Sequence, residues 1–462
     1  MKRSGLTVWA SALLLILAGG ITRPAQAQSV PTPDNDPFYV PPAGYQALPN
    51  GAVLRDRSID AQFLLPFLST NVTSMLGSAF GDKIAALQNL KINAYQVLYK
   101  STDSHDQPTS EVATVLVPQG PWLGNGPRPL VAYQLDEDSV TTLGAPSYTL
   151  RTGLLGQGVL AADTFEVSVS LPALLEGYAI VYSDYEGPQS QWIAGKQEGH
   201  GVLDGIRAVL NYAPAGLTAN TPIALWGYSG GAGATGWAAA LRQSYSPELN
   251  VVGAAIGANP NSDLAQMYTN NDGKLSSGLL VMAIVGLDRA FPEAGIDAYL
   301  NAAGTQLLAG AQNMVTIEAA IAYPVVGPIE NYTIAPNVSL VNSAPGRFIF
   351  PTNSLVNQSL VPDMPILNYH DEFDELVPVK ADNDLALKYC KAGANIEVMR
   401  TSTPVPFVAL IHIAGEIEGW VPALNYITNR FNGVAPRNDC GPLATAVWAS
   451  PLPLAYYPFV TQ

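Results

Sequence analysis

Histidine and cysteine are scarce in this chain of 462 residues, which carries four of the first and two of the second. Two cysteines are too few for a disulfide-dense scaffold. Any histidine-dependent chemistry must choose among His105, His200, His370 and His412. Charge is scarce too, at 13% of residues, while apolar residues make up 48%. A disordered chain is the reverse, charge-rich and apolar-poor. Basic residues are the scarcer sign, 22 Lys and Arg against 37 Asp and Glu, for a formal net charge of −15. A phosphate footprint needs clustered Lys and Arg, so nucleic acid is not an expected partner. At roughly 100–200 residues per domain, the chain suffices for one large domain or two with a sizeable core.

The first segment reads as an address. Lys2 and Arg3 precede an apolar run over residues 6–21, and Ala25-Gln26-Ala27 is a small-x-small cleavage site. The run is short and a cleavage site follows it, which disfavours a membrane span. Residues 1–27 are therefore expected to be a removed secretory signal. Their loss would delete three basic side chains, Lys2, Arg3 and Arg23, and leave the remainder more acidic. An acidic chain disfavours anionic surfaces as partners. In an oxidising compartment Cys390 and Cys440 are expected to pair, the alternative being two buried thiols. The bridge would close a loop of about 50 residues, worth roughly 4 kcal/mol in the chain-entropy model.

Residues 28–51 are rich in Pro and Gly and carry no period, as an arm laid over the surface would. Residues 94–100 and 111–118 are dominated by β-formers, and the polar cluster between them predicts a hairpin with His105 in its turn. Strands are then expected at 129–133, 178–182, 223–226, 251–256, 366–369 and 396–399. Helical patterns lie at 165–177, 201–212, 232–245, 380–391 and 419–431. Strands alternating with helices imply right-handed crossovers and a mostly parallel sheet, an α/β fold. Residues 260–351 break the alternation and are too long for a structureless loop. They read as an inserted helical subdomain, either an acyl-binding cap or simply a second packed layer. The expected organisation is a signal at 1–27, a first core part at 28–259, the insertion at 260–351 and a second core part at 352–462.

The sharpest local signal is Gly227-Tyr228-Ser229-Gly230-Gly231, a G-x-S-x-G pattern with a strand before it and a helix after it. Such an elbow turns so tightly that small residues must flank the serine. It would expose the Ser229 hydroxyl and aim the Gly230 N–H at a developing oxyanion. The bland alternative is a glycine-rich turn. A serine hydroxyl needs a base, and in this architecture the order is serine, acid, histidine. His105 and His200 precede Ser229 and fail that order. His412 lies in an expected loop before the last helix, whereas His370 closes a strand and reads as a supporting residue. Asp374 sits just past the strand end, with Asp371 the competitor three residues closer. Asp374 is favoured because Asp-x-x-Val-Pro recurs after this strand in α/β-hydrolases. The second oxyanion donor should come from residues 134–139, an oddly acidic loop. Asp138 could help there only if protonated, or through its backbone N–H. The alternative is an ordinary solvated loop.

These residues carry a resemblance. The chain resembles the secretory lipase family, α/β-hydrolases typified by the yeast lipase A enzymes, over most of its length. The match takes in Asp36-Pro37-Phe38-Tyr39, Glu137-Asp138-Ser139, Ala145-Pro146-Ser147-Tyr148, Ser183-Asp184-Tyr185-Glu186-Gly187 and Leu203-Asp204-Gly205-Ile206-Arg207. It continues through the elbow, the segment from Asp374 to Pro378, then Lys391-Ala392-Gly393-Ala394-Asn395, His412 and Cys440. The resemblance implies a triad of Ser229, Asp374 and His412, an oxyanion pair of Asp138 and Gly230, and a helical lid in the insertion. Two departures concern the lid. Gly144 stands where the yeast members carry a cysteine tying that loop to the lid, and the chain ends 22 residues after Cys440 rather than running on into a longer flap.

The expected activity is a secreted serine lipase or esterase that hydrolyses carboxylic esters through an acyl-enzyme on Ser229, with no metal or organic cofactor required. The expected partner is an ester or lipid substrate, with no nucleic acid and no stable membrane span. Alternatives are a carboxylesterase of short-chain or non-lipid esters, or a serine carboxypeptidase, which would need a carboxylate-binding group. A third is a non-catalytic binding module, which would normally have lost a triad member. Sequons begin at Asn71, Asn331, Asn337 and Asn357.

Overall fold

The computed structural model describes residues 30–60, 86–87, 89–152, 163–402 and 411–441. The expected signal at 1–27 and the Asn71 sequon lie outside them. Nine strands make one sheet: β1 (Val53–Ile59), β2 (Ile92–Thr102), β3 (Pro108–Pro118), β4 (Leu130–Gln134), β5 (Ala179–Ser183), β6 (Ile223–Tyr228), β7 (Val251–Gly257), β8 (Ile366–Asp371) and β9 (Ile396–Thr401). Their order is β1-β2-β3-β5-β4-β6-β7-β8-β9. Neighbours from β1 to β5 are antiparallel, and those from β5 through β4 to β9 are parallel. The fold is α/β with a mostly parallel sheet. β2 and β3 form the expected hairpin, pairing Thr102 with Pro108 and leaving His105 exposed in the turn.

The central strands read as unbroken apolar runs because both faces of the sheet are covered. Side chains alternate across a strand, so Val131 and Tyr133 of β4 enter one apolar cluster while Leu130 and Ala132 enter the other. β6 does the same with Ala224 and Trp226 against Ile223 and Leu225. The longer described helices are α1 (Pro146–Thr152), α2 (Asp163–Ser170), α3 (Gly195–Asn211), α4 (Ser229–Tyr245), α5 (Leu264–Asn271), α6 (Ser277–Ala290), α7 (Ala302–Ala311), α8 (Thr316–Ala322), α9 (Ala344–Asn353), α10 (Val379–Lys391) and α11 (Ile411–Phe431). α3, α4 and α10 contribute to one cluster, and α2, α6 and α11 to the other.

Helices α5 to α9 occupy the stretch between β7 and β8, where the main sheet gains no described strand. The run Leu279 to Val285 lies in α6, with Val281, Met282 and Val285 fully buried. Residues 33–47 carry three 3-10 turns and are held by an Arg57–Asp36 ion pair of 2.6 Å. Cys390 and Cys440 are disulfide-bonded, with Cα atoms 5.1 Å apart, so the end of α10 is tied to the segment after α11.

Two helix boundaries differ from the sequence reading. The pattern over 165–177 is split into α2 and a separate turn, Pro172–Leu175. Pro172 has no N–H to continue the ladder. The last helix is described from Ile411 rather than from 419, so His412 lies in a helix and not in a loop. Gly415, Gly419 and Pro422 argue against a helix by propensity. Packing overrides them: a Cβ on Gly415 would come within 2.7 Å of Tyr228 Oη, and one on Gly419 within 2.4 Å of the Tyr369 ring. The glycines let α11 lie directly on the tyrosines of β6 and β8.

Candidate active site

β6 ends at Tyr228 and α4 begins at Ser229, whose φ is +51°. A non-glycine residue in the left-handed region stores strain, which surrounding structure must hold. The clearance expected of the flanking glycines is visible. A Cβ on Gly227 would lie 2.4 Å from the Gly231 carbonyl oxygen, and one on Gly231 2.0 Å from that of Gln134. The turn therefore packs backbone against backbone and leaves the serine hydroxyl projecting.

His412 Nε2 lies 2.8 Å from Ser229 Oγ. Its Nδ1 donates to Asp374 Oδ2 at 2.7 Å. Tyr228 Oη donates to the His412 carbonyl at 2.7 Å, and the two rings are 5.1 Å apart. The elbow strand thus also seats the histidine. The structure brings Ser229, His412 and Asp374 together and leaves Asp371 out. Asp371 accepts instead from Phe373 N at 2.8 Å and from Thr401 Oγ1 at 3.0 Å. Burial works against both charged forms in the His412–Asp374 pair. The His412 charge and the His370 hydrogen bond nevertheless hold Asp374 well below the usual carboxylate range. Burial likewise works to lower His412, but the Asp374 charge and hydrogen bond raise it. His105 and His200 take no part. His200 Nδ1 bonds the Thr102 carbonyl and its ring stacks on Tyr245 at 4.0 Å, while His105 meets Glu293 on the surface.

Asp138 comes from the loop after β4, as expected, and it is buried rather than solvated. Its φ is +34°, and its carbonyl accepts from Thr316 Oγ1 at 2.5 Å. The loop is further held by Val140 N on Met314 O at 3.0 Å and by Arg289, which donates to Val140 O at 2.9 Å. A Cβ on Gly230 would sit 1.7 Å from Asp138 Oδ1, so the carboxyl lies against the glycine backbone. Trp192 Nε1 donates to the same oxygen at 2.9 Å. Burial pushes Asp138 up to about 6, with the Trp192 hydrogen bond and the His412 charge opposing. Gly144 packs on this loop, where a Cβ would meet Ser139 Oγ at 2.4 Å.

Trp192 escaped the sequence reading. It precedes Ile193, whose φ is +69°, a conformation that β-branched residues avoid. Ile193 N donates to the buried Glu198 Oε1 at 2.7 Å, and its carbonyl accepts from Asn261 Nδ2 at 3.3 Å. Nothing local in the sequence signals this. Ser229 and Gly230 line a cavity together with Asp138, Trp192, Leu264, Met267, Leu280, Ile284, Leu287 and Phe350. Apart from Asp138 its lining is uncharged, and most of it comes from the helices between β7 and β8. Among the described residues there is no group of His, Cys, Asp and Glu placed to hold a metal ion. No described helix is long and apolar enough to cross a membrane.

Residues 159–439 match the family described as secretory lipase. The chain is similar to lipase A of Moesziomyces aphidis, 31% identical over 449 residues, with 95% of this chain and 89% of the relative covered. It is also similar to a probable inactive lipase of Mycobacterium tuberculosis, 34% identical over 378 residues, with 80% and 77% covered. Among solved structures, Candida antarctica lipase A in its closed state superposes with a TM-score of 0.75 at 31% identity, over 89% of each chain.

Proposed function

The chain belongs to the secretory lipase family, and we propose that it is a secreted serine hydrolase of lipid carboxylic esters, acylglycerols included. One observation carries the reading. Ser229 Oγ, His412 Nε2 and Nδ1, and Asp374 Oδ2 form an unbroken chain of 2.8 and 2.7 Å contacts, and Ser229 lines an apolar cavity. A relative described as probably inactive makes activity the point to test.

In the proposed chemistry Ser229 attacks the ester carbonyl while His412 takes its proton. His412 then returns the proton to the leaving alcohol. Asp374 keeps the imidazole in the tautomer that leaves Nε2 free for the serine, and it balances the charge that forms. The Gly230 N–H and a protonated Asp138 would hold the oxyanion. The acyl chain would lie among Leu264, Met267, Leu280 and Ile284. Water then releases the acid from Ser229. The helices between β7 and β8 would act as the lid and acyl-binding cap. The cavity lining includes no Lys or Arg among the described residues, which counts against a carboxypeptidase. The disulfide fits secretion.

Ser229→Ala is expected to abolish hydrolysis of p-nitrophenyl esters, from short to long acyl chains, and of emulsified triglyceride, with the protein still folded. Turnover near the wild-type rate would remove the serine from the mechanism. A rate that falls steadily with chain length, with no triglyceride turnover, would favour the plain esterase.

A further inference from the structure

Asp374 serves two imidazoles. Its Oδ2 accepts from His412 Nδ1 at 2.7 Å and from His370 Nε2 at 3.1 Å, and its Oδ1 accepts from the backbone N–H groups of Leu376 and Val377 at 2.9 and 2.8 Å. His370 is itself spanned. Its Nδ1 meets Asp382 Oδ2 at 2.8 Å, and its Nε2 also faces the Val377 carbonyl at 3.1 Å. The side chains of His370, Asp374 and Asp382 are fully buried. Both ring nitrogens of His370 therefore face acceptors only. A neutral imidazole has one donor and one acceptor nitrogen, so either tautomer would set a lone pair against an oxygen. With both carboxyls ionised, only the imidazolium satisfies both sides.

We propose that His370 is a buried imidazolium that acts through Asp374 as a positioning residue, setting the pH at which His412 becomes available as a base. The proposal rests on the hydrolase reading. Its logic is charge sharing. A carboxylate serving His412 alone would lend it full negative charge and hold its proton tightly. Here a second cation draws on the same oxygen and stands near His412 besides. His412 is thereby kept neutral, and able to accept the serine proton, to lower pH. Asp382 maintains the arrangement: Ser262 Oγ donates to its Oδ1 at 2.5 Å and Asn259 N to its Oδ2 at 3.3 Å. These two residues bracket the first turn after β7, so the start of the helical insertion is hydrogen-bonded to the back of the triad. Burial would lower His370, yet Asp382 and Asp374 raise it to about 9, which agrees with the donor count.

The other charges around the pair are few. Glu375 faces His412 from the loop after β8, Glu416 from its own helix, and Asp138 from the loop after β4. Arg400 of β9 faces Asp382. None of them touches His370.

The test uses two variants of the full chain, His370→Gln and Asp382→Asn. The second leaves the first imidazole in place but removes its anion. In both, the acid limb of the kcat/KM profile on a p-nitrophenyl ester is expected to move up by about one pH unit. With four histidines in the chain, 15N-histidine labelling resolves the ring titrations directly. His412 should titrate higher in both variants, and His370 should report a doubly protonated ring at pH 7 in the wild type. A profile scaled down at every pH with an unmoved midpoint would reduce His370 to a packing role and overturn the proposal. A neutral His370 at pH 7 would do the same. A wild type without ester turnover, but with the His412 titration still moving in the variants, would overturn the hydrolase reading and leave this coupling standing.

Discussion

Asp374 and Asp138 approach Ser229 from different elements, one through His412 and the other across Gly230, and burial drives both toward the protonated form. They are shifted in opposite directions. Asp374 receives two imidazoles and two backbone N–H groups and is held well below the usual range. Asp138 receives one neutral indole and is pushed up to about 6. Burial also raises Glu186 and Glu198 beside it. The difference teaches that depth alone does not decide a carboxyl's role. The charge of its partners does. One residue type can then serve as the ionised group that orients a base and as the proton-bearing group that receives an oxyanion.

Removing the ionised member should cost most. Asp374→Asn presents His412 with an amide in place of a carboxylate and favours the tautomer that blocks Nε2 from the serine. The expected loss in kcat is on the order of 10⁴-fold, the scale known for this change in other serine triads. Single-turnover kinetics on an activated ester would measure it. A loss below about tenfold would dissolve the contrast, because Asp374 would then be no more than packing.

The member shifted upward should cost less and should discriminate between substitutes. Asp138→Ala would delete the proposed donor to the oxyanion and is expected to lower kcat about 10²–10³-fold. Asp138→Asn keeps a neutral donor and should stay within roughly tenfold of the wild type. The two also differ in pH dependence. In the proposed mechanism His412 must be neutral and Asp138 protonated at once, so a single proton shared by the pair must sit on Asp138. The limbs of the profile then belong to the pair rather than to either residue. The wild-type alkaline limb should vanish in Asp138→Asn, since an amide does not ionise. Equal losses in the two variants would mean that Asp138 contributes only its backbone.

What was legible in advance divides along physical lines. β4, β6 and β7 are readable because a strand covered on both faces must be apolar throughout. The elbow is readable because steric crowding at Gly227 and Gly231 is local in sequence. The pairing of Cys390 with Cys440 followed from there being no other cysteine. Features that depend on distant packing were hidden. Gly415 resembles a helix breaker until the Tyr228 hydroxyl it packs against is in place. Pro172 could have been read and was not. Trp192 reaches Asp138 from a strained loop whose backbone is held by Glu198, a residue that on a helix looks like any solvated acid. Asp382 is as anonymous in the first turn of α10, and only its contact with His370 singles it out.

The smallest effect extends the comparison to the whole molecule. Asp138, Asp184 and Glu416 are buried and raised, to about 6, 7 and 8. A folded-state pKa above the unfolded one means that the native state holds a proton that the unfolded chain releases. The stability these groups contribute is present in full below the ordinary carboxylate range, near pH 4, and is lost as pH rises through 6, 7 and 8. His370, raised from 6.5 to about 9, has the same sign in a higher window. Asp374 has the opposite sign: its contribution is present above 3.8 and lost as pH falls below that value. Groups of the Asp138 kind outnumber those of the Asp374 kind here, so the melting temperature should be highest near pH 4 and fall toward pH 8, most steeply between about pH 4 and 6. Differential scanning fluorimetry across pH 4–9 measures it. Asp138→Asn should flatten the part of the slope between about pH 4 and 6, because an amide has no proton to release, and should leave the higher part to Asp184 and Glu416. A melting temperature that rises from pH 5 to 8 would mean that ionised carboxylates of the Asp374 kind govern stability, and that Asp138 holds its proton for reasons local to the site.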